Sequence, residues 1–216
     1  DVYKRQGVYG VSGFGKEVIP LVRLQYPDLD KQCFVFIDDG GDLTELNTYP
    51  VLSYNEFLQN SATNKQVTIA IANSKVRELL ANKLTKDNIL HTSVKADNAI
   101  VLDDVELGEG SIICNFVHLT SDLKVGKFFH ANIYSYVAHD CVIGDYVTFA
   151  PRVSCNGNIH IHDHAYIGTG AVLKQGTPEK PLIIGAGAII GMGAVVTKDV
   201  AAGTVVVGNP AKPFAK

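Results

Sequence analysis

The stretch that decides the fold runs from Val101 to Pro178, and its centre, residues 137–161, reads VAHDCV IGDYVT FAPRVS CNGNIH I. Read in blocks of six, the stretch opens every block with an apolar residue, and nothing charged interrupts that column. The fifth residue of most blocks is also small or apolar. The column of openers is Val101, Leu107, Ile113, Leu119, Val125, Ala131, Val137, Ile143, Phe149, Cys155, Ile161, Ile167 and Leu173.

A period of six matches neither the period of an α-helix nor that of a simple strand. It is typical of the hexapeptide repeats that build a parallel β-helix. Three blocks form one triangular coil, so we expect the openers to point inward and stacked positions to recur at every third block. The phase slips once, at Thr177 to Pro181, and resumes at Ile184. We therefore predict a β-helix domain over residues 93–216.

A glycine-rich turn stands near the start of the chain, with the sequence Gly10-Val-Ser12-Gly13-Phe14-Gly15-Lys16. Apolar residues at helical spacing follow it, so the turn is expected to join a strand to a helix. Such a turn lets the backbone approach a ligand, and the helix N-terminus offers free N–H groups to a phosphate. It is equally compatible with an ordinary tight turn between the two elements.

An acidic pair, Asp38-Asp39, follows the apolar run Phe34–Ile37, which is predicted to be the second strand. An acidic residue about 20 positions past the glycines suits a ribose or base contact. The alternative is that the pair simply begins a turn with Gly40 and Gly41.

The remaining pattern predicts strands at Pro50–Leu52, Val67–Ala72 and Asn88–Leu90, with helices starting at Tyr54 and Lys75. Residues 7–92 are thus predicted to form a small Rossmann-like α/β domain. Ligands on such sheets bind outside the carboxyl ends of strands, where Ser12, Asp38 and Asn73 are expected. The polar residues 1–6 fit the first strand poorly, and we expect a truncated or foreign start.

Composition excludes several classes of function. A net charge of -3 gives no broad basic field for nucleic acid. No apolar run approaches the roughly 20 residues of a membrane span, and no secretory signal is visible. The four cysteines are unclustered, and Cys141 and Cys155 fall on inward positions. We expect a reduced, cytoplasmic protein that has no disulfide framework and no membrane partner.

Two outward columns emerge from the same register. His139 is expected to stand on one of them, beside Asp140, with Gly157 on the next coil leaving room for a ligand. The loop from Thr177 to Pro181 would wall this place. The columns are Asp103, Ser121, His139, Gly157 and Gln175, and Asp104, Asp122, Asp140, Asn158 and Gly176.

An imidazole in this position suits general-base chemistry near neutral pH. A carboxylate can fix its tautomer and stabilise the imidazolium. Asp140 could do this for His139, or it could orient a group of a partner. The plainer alternative is that His139 is a surface histidine without a role.

A second histidine group, His160, His162 and His164, alternates along one stretch. A metal site would require these side chains to converge and to have further ligands. We expect no metal, and a metal-dependent β-helix enzyme similar to the γ-class carbonic anhydrases is kept as an alternative.

These motifs together resemble a known family, the left-handed β-helix acyltransferases. Within it the chain is similar to the sialic acid O-acetyltransferases and the N-acetyltransferases of the UDP-N-acetylbacillosamine pathway, which act on nucleotide sugars. The resemblance covers nearly the whole chain after residue 6. It is carried by the hexapeptides with His139-Asp140-Cys-Val-Ile-Gly144-Asp145, the tail Val207-Gly208-Asn209-Pro210-Ala211-Lys212, the turn Gly10–Lys16, Phe36-Ile37-Asp38-Asp39 and Ile71-Ala72-Asn73.

The resemblance implies a left-handed coil and a homotrimer with active sites between adjacent β-helices. It implies acetyl-CoA along the helix groove and a nucleotide sugar held by the N-terminal domain. His139 matches the catalytic base of the family and Asp140 its acidic partner, whereas Gly157 and Gly191 match positions against the CoA pantetheine. The positions on the nucleotide side are Ser12, Gly13, Asp38 and Asn73. The outward apolar residues Ile133 and Phe128 would fit a buried subunit contact.

Two positions depart from the family pattern. Phe14 stands where many relatives carry histidine between the glycines, and Thr148 replaces a second histidine of some relatives. The first removes a polar contact to the nucleotide sugar, and the second weakens a contact on the CoA side.

The hypothesis that results is acetyl transfer from acetyl-CoA to the amino group of a nucleotide-linked sugar of the UDP-4-amino type. His139 takes the proton of the acceptor, and the Gly157 N–H meets the oxyanion. One alternative is a sugar O-acetyltransferase of the sialic acid type. Another is a non-catalytic protein that binds sugar nucleotides.

Overall fold

The computed structural model describes residues 4–214, and the chain divides into two compact units after Val94. The first unit contains α1 (Gly13–Gln25), α2 (Tyr54–Gln59), α3 (Ser74–Lys86) and a short 3-10 turn at Lys31–Cys33. Among residues 4–214, no helix has the length and apolar character needed to cross a lipid bilayer.

A six-stranded sheet forms the centre of the first unit, in the order β3-β4-β2-β1-β5-β6. All neighbouring strands are parallel except the edge pair β3 and β4, which is antiparallel. Strand β2 is buried along its whole length because its four residues are apolar, as expected for a parallel sheet, whereas β1 and β5 are buried towards their carboxyl ends. The strands are β1 Lys4–Tyr9, β2 Phe34–Ile37, β3 Glu45–Leu46, β4 Tyr49–Leu52, β5 Asn64–Ile69 and β6 Leu90–His91.

Strand β1 corrects one expectation. It begins at Lys4, and Gln6 is buried, so Lys4–Gln6 belong to the fold although they are polar. The Gln6 side chain donates a hydrogen bond to Gln66 of β5, 3.2 Å away, which compensates its burial. Residues 1–3, the rest of the suspected foreign start, lie outside the described residues.

Three parallel sheets build the second unit, and the chain visits them in turn. Face 1 contains β7 Val94–Lys95, β10 Ile112–Ile113, β13 His130–Ala131, β16 Thr148–Phe149, β19 Tyr166–Ile167, β22 Ile189–Ile190, β24 Val205–Val207 and the antiparallel β25 Lys212–Pro213. Face 2 contains β8 Ile100–Val101, β11 His118–Leu119, β14 Tyr136–Val137, β17 Ser154–Cys155, β20 Val172–Leu173 and β23 Val195–Val196. Face 3 contains β9 Val105–Leu107, β12 Leu123–Val125, β15 Val142–Ile143, β18 Ile159–Ile161 and β21 Leu182–Ile184.

The register of these sheets follows the six-residue period. Leu119 pairs with Val137, and Val137 pairs with Cys155, so that each opener stacks on the one three blocks further along the chain. The openers from Ile113 to Leu173 are buried, as predicted. In the first coil, however, Leu107 is 37% exposed.

The period shifts twice rather than once. Ile161 pairs with Ile184, which is more than three blocks away, because the predicted loop Thr177 to Pro181 lengthens one coil. A second shift follows in the opposite sense, because Ile190 pairs with Val206, which is less than three blocks away.

Most corners between faces place one residue in the left-handed backbone region. At the corner between faces 3 and 1 these residues include Phe128, Tyr146 and His164, whose rings stack with centroids 5.2 Å apart in both pairs. Phe128 is therefore only 3% exposed, and its expected outward position is wrong. Gly110 lies under it, since a Cβ there would come within 2.3 Å of the Phe128 ring. Ile133 is 37% exposed.

Candidate active site

The corner between β14 of face 2 and β15 of face 3 carries the histidine that the sequence analysis selected. The His139 Nδ1 atom lies 2.6 Å from Asp140 Oδ2, and both side chains are about half exposed. Asp140 adopts the left-handed conformation, with φ 58°, which turns its carboxylate back towards the imidazole. A carboxylate on Nδ1 holds a proton there and leaves Nε2 as the basic atom.

Gly157 lies directly above this imidazole, on the next coil. A Cβ at Gly157 would come within 2.6 Å of His139 Cε1, 2.7 Å of Nε2 and 3.0 Å of Nδ1. The sequence predicts that the glycine leaves room for a ligand, but the ring of His139 itself occupies that room. The glycine therefore positions the imidazole.

Backbone hydrogen bonds fix the corner. The His139 carbonyl accepts from the Asn158 N–H at 3.0 Å, and the Asp140 N–H donates to the Ser121 carbonyl at 3.3 Å. The Gly157 carbonyl accepts from the Gly176 N–H at 3.0 Å. Within residues 4–214, the N–H of Gly157 donates to no other group, so it is available to an oxyanion.

Asn156 supports the corner, although no sequence motif pointed to it. Its Oδ1 accepts from the Tyr136 hydroxyl at 2.8 Å, and its Nδ2 donates to the Leu173 carbonyl at 2.7 Å. These bonds hold the backbone next to Gly157. Asn156 directly follows the opener Cys155, and residues 138 and 174 occupy the equivalent positions on the neighbouring coils. The six-residue period could therefore have indicated that Asn156 lies at this corner.

Cys141 follows Asp140 but is buried, as predicted. Its thiol lies 3.2 Å from the Asn156 carbonyl and 3.6 Å from that of His139. A hydrogen bond with the Cys155 thiol lowers the pKa of Cys141, and the same bond together with burial raises the pKa of Cys155. The cysteine packs beneath the corner and presents no nucleophile to its surface.

Gly191 lies at a different corner, between β22 of face 1 and β23 of face 2. A Cβ there would come within 2.7 Å of Val207 Cγ1, so packing explains this glycine. The single chain thus does not bring Gly157 and Gly191 to the same corner.

Thr148 is the position where some relatives carry a second histidine. It lies on face 1, where it pairs with His130 and Tyr166. It is 3% exposed in the single chain.

The histidine group from His160 to His164 does not converge. His160 lies on β18 of face 3, whereas His164 stacks on Tyr146 at the neighbouring corner. Throughout residues 4–214, no three His, Cys, Asp or Glu side chains are placed to hold a metal ion.

The carboxyl edge of the first unit gathers the other predicted residues. Ser12, Asp38 and Asn73 each follow one of three neighbouring strands, β1, β2 and β5. Ser12 precedes α1 without making a side-chain cap, so its hydroxyl is not used by the helix, and Gly13 is the first helical residue. A Cβ at Gly13 would meet nothing within 4 Å.

The other glycines of this turn have structural reasons. Gly10 has φ +116°, and a Cβ at Gly15 would lie 1.9 Å from the Gly10 carbonyl oxygen. The helix can therefore approach the strand only with glycine at both positions. The open end of α1 lies next to Gly13, where N–H groups suit an anion.

The side chains of Asp38 and Asn73 each lie against nearby backbone groups of the same edge. Asn73 Oδ1 accepts from the N–H groups of Lys75 and Val76 at 3.1 Å and caps α3, which leaves the Nδ2 group for a ligand. The Asp38 carboxylate turns towards Gly41, since a Cβ there would lie 2.9 Å from Oδ2. The backbone bends at Asp39 and Gly40.

Asp39 is held by a polar network rather than pointing free. Its Oδ2 accepts from the Tyr9 hydroxyl at 2.5 Å and lies 3.3 Å from Lys83 Nζ, and its Oδ1 accepts from the Tyr54 N–H. Burial raises the pKa of the carboxyl, but the hydrogen bonds from Tyr9 and Tyr54 and the charge of Lys83 outweigh it and lower the pKa overall. Burial and the neighbouring carboxylates raise the pKa of Tyr9 and of Tyr54.

Comparison with known proteins agrees with this architecture. Residues 7–84 match the family described as PglD N-terminal domain. The chain is 48% identical over 211 residues to the GDP-perosamine N-acetyltransferase of Escherichia coli O157:H7, covering 95% of this chain and 94% of that protein.

Solved structures agree as well. WeeI from Acinetobacter baumannii AYE is 68% identical, with a TM-score of 0.97 over 98% of this chain and 100% of that one. The acetyltransferase domain of PglB from Neisseria gonorrhoeae FA1090, in complex with acetyl coenzyme A, is 26% identical, with a TM-score of 0.84 over 98% and 100% of the two chains.

This similarity over almost the whole chain identifies the protein as an acyltransferase. More particularly, the chain belongs to the family of nucleotide-sugar N-acetyltransferases that contains the GDP-perosamine N-acetyltransferase.

Proposed function

We propose that the protein transfers the acetyl group of acetyl-CoA to the amino group of a nucleotide-linked amino sugar. The observation that carries the proposal is the contact of 2.6 Å between His139 Nδ1 and Asp140 Oδ2, with the imidazole resting on Gly157. The coil that presents this corner is taken to be a left-handed parallel β-helix, in line with the family.

His139 acts as the general base of the reaction. Nε2 takes the proton of the acceptor amine as its nitrogen attacks the thioester carbon. A C–N bond forms, the C–S bond breaks, and the proton passes to the thiolate of CoA. Asp140 keeps Nδ1 protonated and stabilises the imidazolium that forms between these two events.

The N–H of Gly157 meets the oxyanion. It is available among the described residues and lies on the coil directly above the base. A fixed donor aimed at the developing charge is a large contributor to acyl transfer. Neither a nucleophilic serine nor Cys141 is required, because the amine attacks directly.

The sugar nucleotide is assigned to the carboxyl edge of the first unit. The Ser12 hydroxyl, the open start of α1 at Gly13, the Asp38 carboxylate and the Asn73 Nδ2 group are the candidate contacts. GDP-perosamine is the first acceptor to test, since the E. coli relative is named for it. A UDP-4-amino sugar is the second. We place the active enzyme in a homotrimer, which would bring Gly191 of one copy towards the His139 corner of another.

The alternatives rank below this proposal. Membership of an acyltransferase family argues against a binding protein without catalysis. The names of the relatives favour an amine over a hydroxyl acceptor, which leaves sialic acid O-acetylation as the second candidate.

The test is thiol release from acetyl-CoA with three acceptors: GDP-perosamine, a UDP-4-amino-4-deoxy sugar and sialic acid. We expect release with an amino sugar and a product that resists hydroxylamine, because an amide resists it and an ester does not. Release with sialic acid alone, giving a hydroxylamine-labile product, would overturn N-acetylation in favour of O-acetylation.

A further inference from the structure

A buried thiol lies directly beneath the peptide group that precedes Gly157. The Cys141 Sγ atom is 3.2 Å from the Asn156 carbonyl oxygen, and Cys141 is only 1% exposed. The other carbonyl within its reach, that of His139, is more distant at 3.6 Å. The Cys155 thiol, which hydrogen-bonds with Cys141, is 3.9 Å from the Asn156 oxygen. The contact with Cys141 is therefore the shorter of the two that thiols make with this carbonyl.

Cys141 occupies a position of the repeat that is otherwise apolar. It is the inward residue that precedes β15, at the start of face 3. A thiol can donate a hydrogen bond, whereas an aliphatic side chain cannot. The donor thus occurs on the coil whose corner carries His139. The equivalent residues on the other coils are Val105, Leu123, Ile159 and Leu182.

The bond from the thiol fixes the direction of an N–H group. The Asn156 carbonyl and the Gly157 N–H belong to one planar trans peptide group, so they point in opposite directions. The carbonyl points inward, to the buried thiol of Cys141. The N–H therefore points outward, to the surface of the corner where His139 and Asp140 lie.

The backbone ladder uses neither end of this peptide group. Among the described residues 4–214, no backbone N–H donates to the Asn156 carbonyl, and the Gly157 N–H has no acceptor. The ladder is already interrupted one bond earlier. On the preceding coil the backbone N–H of Ala138 donates to the opener of the next coil, but at Asn156 the side-chain Nδ2 makes this bond, to Leu173. An interior carbonyl that lacks a donor is unfavourable, and the thiol of Cys141 supplies one.

We infer that Cys141 is a positioning residue for acetyl transfer: its thiol donates to the Asn156 carbonyl and so aims the Gly157 N–H at the oxyanion. Cys141 touches neither substrate and takes part in no bond change. A donor at the carbonyl end of a peptide group also polarises it and strengthens its N–H as a donor. The inference rests on the proposed function and deepens it, since it names the group that orients the oxyanion donor.

The test compares Cys141→Ser, which keeps a donor, with Cys141→Val, which removes it and introduces the residue found at the equivalent position 105. Removing an entire oxyanion donor costs about 100- to 1000-fold in kcat, so we expect misdirecting one to cost at least tenfold. In Cys141→Val, kcat with acetyl-CoA and the accepted amino sugar should fall by this factor. Both KM values should stay within twofold of the parent, because the oxyanion exists only in and after the transition state. Cys141→Ser should restore kcat to within threefold of the parent.

Two controls separate orientation from general damage to the coil. Cys114→Val alters another buried cysteine of the same unit, which directly follows β10 on face 1. Its kcat should stay within twofold of the parent, even if its urea midpoint falls. The acid limb of kcat/KM against pH reports the base, so it should not move in Cys141→Val.

Three results would overturn the inference. Equal losses of kcat in Cys141→Ser and Cys141→Val would show that packing matters and the donor does not. A kcat of Cys141→Val within threefold of the parent would show that the thiol is dispensable. A displaced acid limb would assign the effect of the thiol to His139, whose carbonyl it also approaches.

Crystal structures of the two variants test the geometry without any turnover. The peptide group between Asn156 and Gly157 should be rotated in Cys141→Val and unchanged in Cys141→Ser. If no acceptor supports turnover in the parent, the proposed function fails, but this pair of structures would still support the hold of the thiol on the N–H. An unrotated peptide group in Cys141→Val overturns the inference whatever the activity.

Discussion

Gly157→Ala is the substitution that most directly probes how the coil positions the base. The new methyl group would lie 2.6 Å from His139 Cε1, whereas an ordinary contact begins at 3.4 Å, so the ring must move by about 0.8 Å. Misplacing a catalytic group by about 1 Å can cost about 100-fold. We therefore expect kcat/KM for the amino-sugar acceptor to fall about 100-fold, equivalent to about 2.7 kcal/mol of transition-state stabilisation.

Stability should hardly change in this variant. The atoms nearest to the new methyl are those of the half-exposed His139 ring, and φ at Gly157 is not in the left-handed region. Replacing glycine by alanine where the backbone allows it is neutral or stabilises by about 0.4–1 kcal/mol. The urea midpoint of Gly157→Ala should therefore be equal to or slightly above that of the parent.

The matched control repeats the substitution in a His139→Ala background. If the methyl acts through the imidazole, the second substitution should lower kcat/KM by less than threefold there. The reasoning is refuted if Gly157→Ala alone keeps kcat/KM within threefold of the parent. It is also refuted if the loss is equally large without His139.

Three further results are expected. Asp140→Asn should lower kcat/KM by at least tenfold without shifting the urea midpoint, because an amide cannot stabilise the imidazolium at Nδ1. Equal activity of the two proteins would show that the 2.6 Å contact between His139 and Asp140 does not contribute to catalysis. Tyr146→Ala removes the central ring of the corner stack and should cost about 2–4 kcal/mol in urea unfolding; a cost below about 0.5 kcal/mol would show that the stack contributes little. Asp39 has a lowered pKa in the folded protein, so its contribution to stability is present above the ordinary carboxyl pKa of about 4 and is lost as pH falls through the folded value. As the pH is lowered from about 6 to 3, the thermal unfolding temperature should therefore fall less steeply for Asp39→Asn than for the parent. Parallel curves of unfolding temperature against pH would contradict the role given to the network.

Local pattern was sufficient for much of the fold. Strand β2 spans Phe34–Ile37 as expected, since four consecutive apolar residues between polar ones suit a buried strand in a parallel sheet. The prediction that the openers from Ile113 to Leu173 point inward is also confirmed. An uninterrupted apolar column predicts this, because a charged residue could not be buried in so narrow a coil.

The corners were harder to predict than the faces. Alternation assigns Phe128 to the surface, but a left-handed residue at a corner directs its ring along the edge, where Tyr146 stacks on it. The neighbour that provides the space, Gly110, lies one full coil earlier in the chain. Only the three-dimensional stacking shows that the two belong together.

The candidate site could be located from sequence, but its detailed geometry could not. The register placed His139, Asp140 and Gly157 side by side, yet it could not show that the imidazole turns onto Gly157, since side-chain rotation is not encoded in the period. Similarly, the capping bonds that engage Asn73 depend on where α3 begins, which was expected near Lys75 and lies at Ser74.

The measurement that tests the central claim most directly is thiol release from acetyl-CoA with GDP-perosamine, or with whichever amino sugar is accepted, for the parent, His139→Ala and His162→Ala. His162 is an exposed histidine of the same unit outside the corner and serves as the control. The account predicts that His139→Ala lowers kcat/KM about 100-fold or more, the scale of a lost general base, whereas His162→Ala stays close to the parent. Turnover by His139→Ala within about threefold of the parent would contradict the assignment of this imidazole as the base.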